Sequence, residues 1–420
     1  MATTSFAMGD YNAAFEKVIQ PYIQDNVPKE AKLLQVIKTN DSVQSFNNNF
    51  FFPVRTSRHG GVVNLANDNA KLRTGSSAVT QGTVGYKIMT ATFDISDPVR
   101  KASQGDRTAV ESALDFQMKT IKNDFVKSVN RQYFSDGVGV IAQVSGSVGA
   151  GTLSVVYPDA NLDDTRGDIS GWYGPINYDI KPTKFFAVGQ GIGIGTAAAD
   201  VGTVSTISGG TALGTLVVTG APAIVANDAV YLVDGDENAA GTSEIQGVRA
   251  ALSVGTSTTY AGIATSNDVW GVQYMGTASN AALTIADMDT IYLAANEYAQ
   301  EGDRYAWFMN KSLYSKYGEL LTAMRRVAEK TELVSGWSGL KFEAGVGEVG
   351  VYLSYDTPDG EAILLNLDTW TVCQVAPMGF VEDNFLRRSD YVTFQKVFAW
   401  YTNLACRCPA ANGRMLRRTK

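Results

Sequence analysis

Histidine is almost missing from this 420-residue chain: His59 is the only one. Nucleophilic catalysis of the Ser/His/Asp kind needs an imidazole beside the nucleophile, and His59 sits in a polar loop next to Gly60-Gly61. It reads as a loop residue rather than as a catalytic base. Cysteine is nearly as scarce. Cys373, Cys406 and Cys408 are too few for a disulfide framework. No run reaches the ~18 apolar residues that a bilayer-spanning helix needs. The opening Met1–Met8 lacks a basic segment followed by an apolar one, so it is not read as a secretory signal. An excess of positive charge is absent too. The net charge of −7 argues against a chain built mainly to wrap nucleic acid.

What remains is an ordinary apolar fraction of 45% in a chain long enough for two or three cores. In the first 45 residues, Tyr11, Phe15 and Ile19 keep helical spacing, Pro21 and Pro28 break it, and Leu33, Leu34 and Ile37 resume it. This predicts short helices in an arm. An extended apolar run, Phe50–Val54, is matched by an alternating run at Tyr86–Ser96, with Met89, Ala91, Phe93 and Ile95 on one face. The two are expected to form a ribbon. The stretch between them has no Phe, Tyr or Trp, and a two-stranded ribbon alone is marginal in water. It therefore needs something to lie on, and a neighbouring subunit is the natural support.

The strongest single element begins at the capping box Thr108–Glu111 and ends at Ser135-Asp136-Gly137. Leu114, Met118, Ile121, Phe125 and Val129 form its apolar stripe. At ~1.5 Å per residue such a helix is roughly 40 Å long, enough to run across a domain as a girder. Beyond Val144 the composition changes. Residues 151–280 hold 20 of the 41 glycines, and 12 acidic against 4 basic residues. Short β runs recur at Thr152–Tyr157, Lys184–Val188, Gly214–Thr219, Ala229–Val233 and Ala250–Val254, predicting an all-β insertion. Helices are expected again over 284–300 and 312–330. Strands follow over 348–355, 361–367 and 391–404, the first two joined by the turn Thr357–Gly360.

Apparent chemical motifs give way to simpler readings. Cys406-Arg407-Cys408 has no second pair and no nearby histidine, so buried structural thiols are expected rather than zinc ligands. Gly189–Gly195 lacks phosphate-loop spacing and reads as a glycine-rich hairpin. Asp234–Asn238 starts like a calcium loop, but Ala239 and Ile245 stand where glycine and glutamate belong. The pair Asp163-Asp164 reads as solvated surface. The basic tail, Arg407, Arg414, Arg417, Arg418 and Lys420, is assigned to packing or subunit contact ahead of nucleic acid. No cofactor, metal or catalytic residue is expected.

The order of parts resembles the major capsid proteins of tailed double-stranded DNA phages, the HK97-like fold family. The resemblance rests on Phe52–Arg55 with Gly60–Val62, on Lys87–Ser96 leading through Asp97-Pro98-Val99-Arg100 to the helix, on Val129–Tyr133 with Asp136–Gly139, and on Trp307–Asn310. It implies an α+β fold: an N-terminal arm (1–45), an extended E-loop (46–100), a P domain with a spine helix (101–145, helix 108–135), an all-β insertion (146–280), and an A domain with the remainder of P (281–420). It further implies pentamers and hexamers of a virion shell around double-stranded DNA, assembled in a bacterial cytoplasm. A separate scaffolding protein, a portal protein and, optionally, a decoration protein would be partners, and no membrane is involved. The E-loop span 53–101 holds seven Lys+Arg against three Asp. Arg55, Arg58, Lys71 and Arg73, with Phe52, are the candidate inter-subunit contacts. An encapsulin-like compartment is the nearest alternative. A β-rich decoration protein or adhesin and a carboxylate hydrolase explain less, because neither asks for the helix or the ribbon.

Overall fold

The computed structural model describes residues 32–37, 39–40, 45–46, 49–64, 71, 74–97, 107–137, 139–147, 151–156, 183–194, 201–209, 214–220, 228–232, 244–253, 259–266, 269–276, 281–323, 331–333, 337–344, 347–358, 360–381, 386–387, 393–416 and 418–419. The architecture is α+β. The girder helix runs Arg107–Phe134, within one residue of its predicted ends. Phe125 and Val129 are buried, whereas Met118 and Ile121 are half-buried, so the stripe sinks into the core toward its C-terminal end. The side chain of Leu114 lies outside the described residues.

The helix rests on a long sheet. Its spine is the pair Trp370–Phe380 and Thr393–Cys406, antiparallel, with Lys87–Ser96 along the other edge of Thr393–Cys406. Phe125 meets Phe398 edge-on at 4.9 Å between centroids, and Phe398 meets Phe380 at 5.0 Å, so helix and sheet share an aromatic seam.

A second, seven-stranded sheet runs in the order 273–275, 413–415, 362–366, 305–309, 347–353, 337–344 and 331–333. Its central strands, Tyr305–Met309 and Ala362–Asn366, are buried at every position. The cause is two-sided cover. Trp307, Met309, Ala362 and Leu364 face one apolar core with helices Ile285–Asn296 and Lys311–Ala323, while Ala306, Phe308, Ile363 and Leu365 face the main core. Thr284 caps the first of these helices, its hydroxyl accepting from the Asp287 amide at 3.2 Å. The strands expected over 348–355 and 361–367, joined by a turn, are observed as 347–353 and 362–366 and do not pair with each other. They instead flank Tyr305–Met309, which pairs with one in parallel and with the other antiparallel.

The β insertion is a closed six-stranded barrel built from 140–147, 152–156, 191–194, 201–209, 214–219 and 229–232. Two predicted strands are absent from it. Lys184–Val188 forms turns, and Ala250 and Ala251 of the expected strand Ala250–Val254 belong to the short helix Val248–Ala251, Val254 lying outside the described residues. The second change has a packing cause: Ile245, Val248, Ala251, Leu252, Tyr260 and Trp270 belong to the main core, so the chain has already left the barrel by residue 245.

The ribbon also differs from expectation. Asn49–Arg55 pairs with Val79–Gly85, whereas Lys87–Ser96 lies in the long sheet. The base of this hairpin is not bare. Phe50, Phe52, Val54 and Val84 are buried in the main core, and the Thr83 amide donates to the Ala261 carbonyl at 3.0 Å. The idea that the ribbon lacks support from its own chain is therefore corrected for its base.

Part of the basic tail is structural. Arg414, 1% exposed, forks onto Glu361 (0%) with contacts of 2.7 and 3.2 Å, and Arg249 (6%) reaches the same carboxylate at 3.3 Å. Arg418 pairs with Asp287 at 2.8 Å. Burial alone would raise the Glu361 pKa, but Arg414 and Arg249 outweigh it and hold the carboxyl below its usual range. Such a group adds stability above the ordinary glutamate pKa, and the contribution is lost as pH falls through the lowered folded value. Glu361→Gln strands two buried guanidinium groups and is expected to cost about 3–5 kcal/mol at neutral pH. Denaturant unfolding of parent and variant checks this, and the gap between them should narrow toward acid.

Candidate functional site

The distal half of the hairpin is the one part of the flap without cover from described residues. Past Arg55 the described links between the strands are short and polar: Thr56 amide to Ala78 carbonyl at 3.0 Å, Ala78 amide to Ser57 Oγ at 2.8 Å, and the Thr56 and Thr80 hydroxyls at 3.1 Å. Gly61 and Gly75 cross so closely that a Cβ on Gly75 would collide with the Gly61 backbone. The tip presents Val62 at 86% exposure, Val63 at 44% and Val79 at 65%. Arg55, Arg58 and Lys71 are exposed around them, with Arg55 Nε donating to the Ser57 carbonyl at 3.1 Å. Greasy and cationic surface thus occur together on a thin projection, an arrangement suited to contact with an acidic partner.

Of the candidate contacts, Arg73 lies outside the described residues. Phe52 is a correction: at 6% exposure it is spent inside its own chain, with its ring against Gly82, where a Cβ would come within 2.6 Å. His59 is exposed at the tip, and its Nδ1 accepts from the Gly61 amide at 3.1 Å. The pairs at Asp163-Asp164 and Asp234–Asn238 lie outside the described residues, as do residues 1–31, Arg417 and Lys420.

The last turns of the long helix join three other parts of the molecule. Successive helical residues point about 100° apart, and here each finds a different partner. Asn130 Nδ2 donates to Asp356 Oδ2 at 2.6 Å, in the loop after strand 347–353. Arg131 forks onto Glu244, one arm at 3.2 Å, where the chain returns from the barrel. Gln132 accepts from the Ile245 amide at 3.1 Å, and its amide nitrogen lies 3.9 Å from Met89 Sδ in the long sheet. Asn403 completes the set: its side chain accepts from the Gln246 amide and donates to the Gly85 carbonyl. Gly247 then passes so close to the carbonyls of Gln132, Tyr133 and Ser135 that no Cβ fits. Three consecutive polar residues at a helix end, Asn130-Arg131-Gln132, are legible in the sequence. Their partners Glu244 and Asp356, and the neighbouring Asn403, are scattered along it and carry no local signal.

The thiols have no reactive role in this arrangement. Burial pushes Cys373 up to about 11 and raises Cys406 and Cys408 as well, which keeps them protonated. Among the described residues no group of three or more His, Cys, Asp or Glu is placed to hold a metal ion.

No family model matches the sequence, and no curated protein matches it. Solved structures do. The capsid asymmetric unit of cyanophage A-1(L) aligns with a TM-score of 0.54 at 13% identity, over 95% of this chain and 96% of that one. The capsid of a native GTA particle aligns at 0.45 and 10% identity, covering 98% and 100%. The holo-SrpI encapsulin complex of Synechococcus elongatus PCC 7942 aligns at 0.45 and 8% identity, covering 95% and 92%. Of these three, the first exceeds 0.5, and it carries the assignment: the chain has the HK97-like fold found in phage capsids.

Gly247→Ala drives a methyl group into backbone rather than into a yielding side chain. It is expected to destabilise the chain by about 1–3 kcal/mol, measured by denaturant unfolding. Gly60→Ala, whose Cβ meets nothing within 4 Å, is the control and should stay within about 0.5 kcal/mol.

Proposed function

We propose that this chain is the major capsid protein of a tailed double-stranded DNA phage, a structural subunit that builds pentamers and hexamers of an icosahedral head. The observation that carries the reading is the near end-to-end match in fold to a cyanophage capsid subunit. The flap supports it independently. Its base is anchored at home while its tip offers valines and cations to something outside the described chain. A projection of that kind has no use in a lone subunit and an evident one in a shell, where Arg55, Arg58, Lys71 and Arg73 would meet acidic surface on a neighbour.

In this reading 46–100 is the extended loop, 101–145 the spine-helix segment, 146–280 the insertion and 281–420 the A domain with the rest of P. A scaffolding protein and a portal protein are the expected assembly partners in the host cytoplasm, a decoration protein is optional, and DNA is enclosed without sequence preference. No catalytic residue is assigned. An encapsulin-like compartment is the rival on the same fold, and the contents of the particle separate the two: nuclease-protected DNA for a head, protein cargo for a compartment.

The test is electron microscopy of the chain co-expressed with its scaffold. Regular closed particles are expected. The charge reversal Arg58→Glu with Lys71→Glu should lower particle yield at least tenfold. Because both residues are exposed, unfolding of the dispersed chain should shift by less than about 0.5 kcal/mol. Full particle yield from the double variant would remove the flap tip from the assembly contact.

A further inference from the structure

We propose that the end of the long helix is an orientation latch for the barrel, in which the Lys184–Asp356 ion pair and the contact of Arg131, itself held by Glu244, with Phe185, rather than shared apolar packing, set the angle at which the barrel stands on the body.

The barrel has a core of its own. Its buried residues, among them Val144, Leu153, Val155, Leu216 and Val230, form a cluster separate from those of the body. A closed barrel also has no free edge through which to extend the body's sheets. On one side a groove of about 400 Å³ lies between barrel and body, lined by Lys87, Met89, Asp124, Phe125, Gln190 and Glu244 among others. Apolar burial therefore contributes little to how the two parts are aligned there, and directional contacts must do it.

Those contacts converge on one place. Asp356 accepts from Asn130 of the helix at 2.6 Å through one oxygen and from Lys184 of the barrel at 2.7 Å through the other, so a single carboxylate clamps both. Lys184 also donates to the Tyr355 carbonyl at 3.0 Å. Phe185 lies near two cations: Lys184 Nζ is 4.9 Å from the ring centroid and the Arg131 guanidinium 5.8 Å. Arg131 and Glu244 are only 9% and 11% exposed, and Lys184 and Asp356 25% and 11%. Pairs this sheltered resist screening that would erase surface ones. Their partners lie 113 and 172 residues apart, so they tie separate parts of the chain rather than decorate one element. The latch does not depend on the capsid reading. It would hold a barrel on any body built this way.

The test uses spin labels on Thr206→Cys, exposed on the barrel, and Thr290→Cys, exposed on helix Ile285–Asn296, in full-length chain with Cys408→Ser and diluted with unlabelled chain. Pulsed resonance then gives the distance distribution between barrel and body. The parent should give one narrow distribution. Glu244→Gln with Asp356→Asn, which keeps the shapes and removes the charges, should at least double its width while the barrel's circular dichroism is unchanged. An unaltered width overturns the latch. Loss of the barrel's own fold in the variant overturns it as well, since the pairs would then serve barrel stability rather than barrel orientation.

Discussion

A two-stranded ribbon has two faces and only one partner per strand, so in water it must lie on something. This chain meets the requirement at the base, where Ser45–Phe46 adds a third strand beside Asn49–Phe50 and the ribbon lies on the core. Phe50, Phe52, Val54 and Val84 sink into the main core, and a backbone hydrogen bond from Thr83 to Ala261 fixes the base. Past Arg55 the cover stops, and Val62, Val63 and Val79 stand in solvent among cations. Burying one such valine is worth roughly 1.5–3 kcal/mol, a gain that the described part of the chain leaves uncollected. An anchored base makes the tip a directed projection, since its position is set by a core and not by a loose loop.

That core depends on the long helix. Its aromatic seam with the long sheet positions Phe125, and its last turns place Asn130, Arg131 and Gln132 where three parts of the molecule meet. The seven-stranded sheet is bound to the same body by sharing its two central strands between two cores and by the buried Arg414–Glu361–Arg249 cluster. Charges are used inside the molecule where parts of the chain remote in sequence must meet at a defined angle, a task that non-directional apolar contact does poorly.

The elements with local signals were legible in the sequence. The helix 107–134 has a stop signal and a sustained stripe, and 361–367 reads as a strand, observed at 362–366; the equally apolar strand 305–309 was not among the expected ones. Pairing was less legible, because alternation says which way a strand faces and not which strand lies beside it. Tyr86–Ser96 has the right pattern for the ribbon, yet all of it but Tyr86 joins Thr393–Cys406, some 300 positions away. The stretch 250–254 looked like a strand by composition, and the helix end onto which it packs overrode that preference. Phe52 illustrates the same limit at the candidate site: an aromatic residue in a bare-looking loop suggested a contact with a neighbour, but the glycine across the hairpin, Gly82, makes room for its ring at home. The partners of the helix end, Glu244 and Asp356, were invisible for a simpler reason, since each is an ordinary surface-type residue until its distant partner is known.

The division of the flap into a base held by its own chain and a tip held by a neighbour can be measured directly by hydrogen exchange of residues 49–64 and 74–85 in dispersed subunits and in assembled particles. Slow exchange at 49–55 and 81–85 in both states, with 56–64 and 74–78 slowed only on assembly, is the predicted pattern. A tip already as protected in the dispersed subunit as in the particle would contradict the account.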